Sequence, residues 1–65
     1  MKIDVNGSPR EIDAANLAAA LEQLGWGEAR VATALNGRFV PVSARPGTPL
    51  STGDRLEVLA AMQGG

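Results

Sequence analysis

Lys2-Ile3-Asp4-Val5 alternates polar and apolar side chains, the period of a half-buried strand with Ile3 and Val5 on its inner face. Asn6-Gly7 follows, two residues that tolerate positive φ and so favour a tight hairpin. The return strand is predicted over Pro9–Ile12. Pro9 has no N–H to give to a ladder, which places that strand at a sheet edge. Leu17, Ala20, Leu21 and Leu24 then fall at i, i+3, i+4 and i+7, one apolar stripe of a helix over Asn16–Leu24. Asn16 offers an N-cap, with Asp13 as a competing start, and Gly25 is placed to end the helix left-handed. Glu22 and Gln23 point to solvent. Trp26–Arg30 reads as a loop, in which Trp26 either lids the core at the helix end or contacts a partner.

The second half repeats the strand pattern. Val31–Leu35 puts Val31, Thr33 and Leu35 on one face and Ala32 and Ala34 on the other. Asn36-Gly37 is a second hairpin signal, and Arg38-Phe39-Val40 returns until Pro41 stops it. Pro46, Gly47 and Pro49 mark Val42–Leu50 as an irregular connection. Ser51-Thr52-Gly53-Asp54 is a turn, stabilised by Asp54 accepting from nearby backbone N–H groups. The last strand starts at Arg55 and runs to Leu59 or beyond, Leu56 and Val58 facing one side and Glu57 and Leu59 the other. The order β-β-α-β-β-β predicts an α+β fold: a mixed sheet of four to five strands packed on one helix. The first and last strands are the most apolar and are expected to pair centrally, in parallel if the helix serves as a crossover.

Composition narrows what such a fold can do. The 65 residues suit one domain over 1–65, with a tail over about 60–65. Of the hydrophobic residues, 11 are Ala, and Trp26 and Phe39 are the only aromatics, so the core is thin. A chain of this size has little room for a deep catalytic pocket, which favours a carrier, a binding module or a subunit over an autonomous enzyme. Six basic and seven acidic residues give a net charge of −1, against a nucleic-acid binder. Cys and His are both absent, which removes disulfides, Cys/His zinc sites, iron–sulfur ligation and catalysis by either residue. No apolar run is long enough to span a membrane, and the N-terminus lacks the pattern of a signal peptide. A cytoplasmic protein with no bound cofactor or metal is the expectation.

Few residues carry chemistry. There is no phosphate-binding glycine loop, no HExxH and no acidic calcium loop. Asp4, Glu11, Asp13, Glu22, Glu28, Asp54 and Glu57 are dispersed and read as surface, turn or cap residues, so no catalytic residue of its own is expected. What remains is the ending Met62-Gln63-Gly64-Gly65. At ordinary glycine usage two terminal glycines arise by chance in roughly 0.5% of chains. They are either a frayed end or a flexible tail thin enough to thread a partner's active site and present an ionised carboxylate as nucleophile.

Taken together, the element order, the length and the tail resemble the β-grasp, ubiquitin-like fold. Ala34-Leu35-Asn36-Gly37-Arg38-Phe39-Val40-Pro41, then Leu50, Gly53-Asp54 and Leu56-Glu57-Val58, then Gln63-Gly64-Gly65, is similar to the ThiS family of bacterial thiamine sulfur carriers, across essentially the whole chain. Val42 departs from the pattern, standing where many relatives carry a basic residue. The resemblance implies that a ThiF-like adenylyltransferase, using ATP and Mg, activates the Gly65 carboxylate. Sulfur drawn ultimately from a cysteine desulfurase then converts it to a thiocarboxylate, which a ThiG-like thiazole synthase consumes. Gly64 and Gly65 would carry the modification, and Met62 and Gln63 would lie against the partner.

Strand alternation adds a docking surface. With Leu56 and Val58 under the helix, Leu59 faces the open side, shared with Ala32, Ala34 and Phe39. This resembles the apolar patch that ubiquitin-like proteins show to activating enzymes, with Arg38 and Arg55 on its rim; scattered surface hydrophobes are the ordinary alternative. Other readings share the fold and tail: a MoaD-like carrier for molybdopterin, a carrier for cysteine or tRNA thiolation, a protein modifier, or an interaction domain with an inert tail. Molybdopterin carriers tend to be longer and commonly end in a Pro-Pro-Val-x-Gly-Gly-like sequence, unlike Ala61-Met62-Gln63-Gly64-Gly65.

Overall fold

Both Asn-Gly pairs turn the chain as their chemistry requires. A computed structural model describes residues 1–27 and 29–60. Strands β1 (Lys2–Val5) and β2 (Ser8–Glu11) pair antiparallel around Asn6 (φ 52°) and Gly7 (φ 85°). Strands β3 (Val31–Leu35) and β4 (Arg38–Val40) do the same around Asn36 (φ 52°) and Gly37 (φ 84°). Positive φ at both central residues gives each hairpin a turn whose twist matches its strands. β2 starts one residue earlier than expected. Ile12 leaves it to enter the core, while its N–H still donates to Met1 O at 2.8 Å.

Helix α1 spans Leu17–Leu24, and both predicted caps form. Asn16 Oδ1 accepts the Ala19 N–H at 2.9 Å. Gly25, at φ 97°, donates to Glu22 O, and the Trp26 N–H donates to Leu21 O at 2.8 Å. These two bonds satisfy carbonyls that a helix end leaves open. Asp13 does not cap; its N–H donates to Gln23 Oε1.

Residues Val42–Gly47, expected to be irregular, form a 3-10 helix. Bonds from Ala44 N to Pro41 O (2.9 Å) and Thr48 N to Arg45 O (3.2 Å) close its turns. The fixed φ of Pro46 is compatible with 3-10 geometry, so proline does not break the segment as it would break an α-helix. Beyond it, Leu17 N donates to Thr48 O and Leu50 N to Ala15 O, tying the connection to the start of α1.

The last strand, β5 (Arg55–Ala60), joins the hairpins into one five-stranded sheet of order β2-β1-β5-β3-β4. It runs parallel to β1, as the sequence led us to expect, and antiparallel to β3, and Pro9 lies in the edge strand β2, also as expected. Ile3, Val5, Val31, Val40, Leu56 and Val58 form the buried face of the sheet, packed with Leu17, Ala20 and Leu21 of α1 and with Ile12 and Leu50. Trp26, partly buried, packs against this cluster as a lid.

One polar contact completes the join. The β1–β5 ladder contains only Asp4↔Arg55 and Val5↔Leu56 before β1 turns away. The Asn6 side chain then takes over: its Oδ1 accepts the Val58 N–H at 2.8 Å and its Nδ2 donates to Val58 O at 3.0 Å. A carboxamide offers one acceptor and one donor, as a peptide unit does, so both backbone groups of Val58 are satisfied. Asn6→Gly keeps the left-handed turn and deletes both bonds. It is expected to lower the free energy of unfolding by about 1–3 kcal/mol. Leu56→Ala, at a fully buried position, is expected to cost about 2–5 kcal/mol. Urea denaturation measures both, and an unchanged midpoint for Asn6→Gly would show that the clasp contributes nothing.

Candidate functional site

Alternation along β3, β4 and β5 sends one set of side chains under α1 and the other to the uncovered face of the sheet. There Ala32 lies opposite Leu59, and Ala34 lies opposite both Phe39 and Glu57. Phe39 is 69% exposed and Leu59 68%. Between these large side chains the two alanines leave a groove of about 500 Å³, lined by Asn6, Ala32, Ala34, Phe39, Glu57 and Leu59. Its size is that of a small-molecule pocket, but it is open to solvent and Glu57 is its one ionisable lining residue. Such a surface suits a protein partner better than a bond-making centre.

The open face is divided. Toward β1 it carries charge, with Asp4 beside Arg55 in the parallel register and Glu57 two residues on. Toward β4 it is apolar. The structure therefore brings Leu59, Phe39 and Ala34 together with Ala32, as expected, and puts Arg55 at the charged boundary. Arg38 is a correction. It pairs with Leu35, one step out of phase with Phe39, and so projects on the helix side of the sheet rather than on the rim of this patch.

At the far end of β5, the Asp54 turn forms as read from the sequence. Ser51 N donates to Asp54 Oδ2 at 2.8 Å, and Asn36 Nδ2 to Asp54 Oδ1 at 3.0 Å. At the near end, Ala60 pairs with Val31. Met62, Gln63, Gly64 and Gly65 lie outside the described residues, as does Glu28. Among the described residues no His, Cys, Asp or Glu cluster has the makings of a metal site, and no helix is long and apolar enough to cross a membrane.

Sequence reasoning missed Arg45. Its side chain is buried, Nε donating to Thr33 Oγ1 at 3.1 Å and an Nη donating to Val31 O at 2.6 Å. Thr33 Oγ1 in turn donates to Val40 O at 2.8 Å. This chain of bonds ties the 3-10 helix to β3 and β4 beneath the sheet. Nothing in the sequence around Arg45 marks it as buried, since arginine is usually a surface residue. Val42 is 68% exposed on the same segment.

A model of the ThiS family matches residues 3–65. The chain belongs to the ThiS family. The Sulfur carrier protein ThiS of Thermus thermophilus is 39% identical over 61 residues, covering 94% of this chain and 95% of that one. The crystal structure of the thiamine biosynthesis protein (ThiS) from Geobacter metallireducens superposes with a TM-score of 0.84 at 35% identity, covering both chains entirely. A solution structure of a thiamine biosynthesis protein from the same organism gives a TM-score of 0.77 at 35% identity, over 100% of this chain and 88% of that one. The β-grasp fold expected from the element order is thereby borne out, and ThiS membership with it.

Because Phe39 and Leu59 stand clear of the core, Phe39→Ser and Leu59→Ser are each expected to leave the free energy of unfolding within about 0.5 kcal/mol of the parent. A loss above about 2 kcal/mol in thermal or urea unfolding would assign these side chains to the core instead.

Proposed function

We propose that this chain is a sulfur carrier in the synthesis of the thiazole of thiamine, acting in the cytoplasm as a protein co-substrate rather than as a catalyst. The observation that carries this reading is the ThiS family match over residues 3–65, which takes in the Gly64-Gly65 ending. An apolar open face at the end of the sheet where β5 passes into the tail supports it: a partner that grips the face has the tail within reach.

The chemistry asks little of the chain itself. A ThiF-like enzyme holds ATP·Mg²⁺ and binds the domain by its open face. An oxygen of the Gly65 carboxylate attacks the α-phosphorus, the bond to the β-phosphate oxygen breaks, and pyrophosphate leaves. A persulfide sulfur, supplied ultimately by a cysteine desulfurase, then attacks the acyl carbon and AMP leaves. Reduction of the resulting acyl disulfide by a thiol frees the thiocarboxylate, whose sulfur passes to a ThiG-like thiazole synthase. Glycine suits both tail positions because it adds no side chain where the enzyme must enclose the acyl group. Met62 and Gln63 line the partner's entrance, and Leu59, Phe39 and Ala34 form the docking face.

The test is a direct one. The chain, ATP·Mg²⁺, a ThiF-like enzyme and a persulfide donor are incubated, alkylated, and the C-terminal peptide weighed. Alkylation separates a thiocarboxylate from a Met62 sulfoxide, which has the same nominal mass gain. The expected result is an ATP-dependent alkylated Gly65, lost when one residue is added after Gly65. A folded chain with an active enzyme and no modification would overturn the reading, and covalent adducts on other proteins would replace it with a protein modifier. Leu59→Asp forces a charge into the docking face and is expected to weaken binding to the adenylating enzyme by about tenfold or more. Calorimetric titration measures it, and equal affinity would remove the open face from the interface.

A further inference from the structure

Strand β5 has a neighbour on both sides only as far as Val58. The Asn36 N–H donates to Arg55 O at 2.8 Å, which makes Leu35↔Leu56 a non-hydrogen-bonded pair of the β3–β5 ladder. By alternation, Glu57 and Leu59 exchange bonds with β3, whereas Leu56, Val58 and Ala60 direct their N–H and C=O groups to the opposite side. There Leu56 O accepts the Asn6 N–H at 2.9 Å, and the Asn6 side chain closes on both groups of Val58. The chain turns away at Asn6-Gly7, and among the described residues nothing stands opposite Ala60. Gly7 lines the neighbouring groove with Leu59, and a Cβ placed on it would meet no atom within 4 Å.

We propose that this open edge of β5 at Ala60 takes an extended segment of the adenylating enzyme, which adds a short strand beside Asn6 and hydrogen-bonds the Ala60 N–H and C=O. The proposal rests on the carrier reading. Three observations favour that occupant. An unpaired edge is a template for strand addition, in which main-chain bonds give affinity and alternate side chains fill pockets. The groove lined by Asn6 and Leu59 runs alongside and gives apolar cover for side chains of the incoming strand. Ala60 stands five positions before Gly65 (65 − 60 = 5), so pairing there fixes the direction of the chain just before the segment that must reach ATP. Ordering two terminal glycines is entropically costly, and a ladder bond at Ala60 limits how much of the chain the active site has to order by itself.

Amide hydrogen exchange on the ¹⁵N-labelled chain, free and bound to a ThiF-like enzyme, tests this. In the free chain the Val58 amide is expected to be protected and the Ala60 amide to exchange near the unprotected rate. In the complex Ala60 is expected to slow by at least about tenfold. Ala60→Pro deletes only the outward N–H, a position where strands tolerate proline. It is expected to weaken binding by about three- to tenfold at an unchanged melting temperature. A complex in which Ala60 exchanges as in the free chain overturns strand addition and leaves the carrier reading standing. Absence of any complex overturns both. Protection of Ala60 that rises with protein concentration and ignores the enzyme assigns the edge to a second copy of this chain and overturns the proposal.

Discussion

The pairing of β5 with β1 on one side and β3 on the other converts two separate hairpins into a sheet. Neither hairpin is stable alone in water, since a two-stranded unit buries too little. With β5 in place, Leu56 and Val58 press on α1 while Glu57 and Leu59 stand on the open face. One six-residue strand therefore supplies Leu56 and Val58 to the core and Glu57 and Leu59 to the open face, and it leads into the C-terminal residues. These roles are coupled by the two-residue period: a slip of one position would bury Leu59 and expose Leu56 and Val58.

A core this thin depends on polar contacts to define its boundaries. Apolar burial rests on a handful of aliphatic side chains from the sheet and on Leu17, Ala20 and Leu21 of one short helix. Where a strand ends early or a loop crosses beneath the sheet, a side chain completes the hydrogen bonding: Asn6 on Val58, Arg45 on Val31 and Thr33, Asp54 on Ser51. The first two satisfy backbone groups of Val58 and Val31 at part-buried and buried positions, where an unpaired group costs about 1–3 kcal/mol, and the third closes an exposed turn.

On the carrier reading, a division of labour between chain and partner follows from the same economy. The chain has neither histidine nor cysteine, and its described residues present an apolar groove on the open face of the sheet, beside the end of β5. Membership in the ThiS family gives that arrangement its meaning. On the carrier reading proposed above, recognition is spread over the domain and the reacting group is confined to Gly65.

Much of this was legible in the sequence because the signals are local. Asn-Gly fixes positive φ in two adjacent residues, Asn16 and Gly25 bracket one helix, Asp54 folds back three residues, and strand alternation needs only its own neighbours. The apolar patch followed once the two faces of β5 were assigned. What the tertiary structure alone decided involves partners far apart in the chain. Asn6 meets Val58 across 52 positions, and Arg45 meets Val31 across 14, so no local pattern reveals either contact. Pro46, Gly47 and Pro49 made Val42–Leu50 read as irregular, because the compatibility of Pro46 with a 3-10 turn shows only when the segment is anchored from below. The face that Arg38 takes depends on its register against Leu35, and the open ladder position at Ala60 on where β1 stops beside β5. Local stereochemistry sets the elements, and only the closure of long loops sets which of their edges and faces are left for a partner.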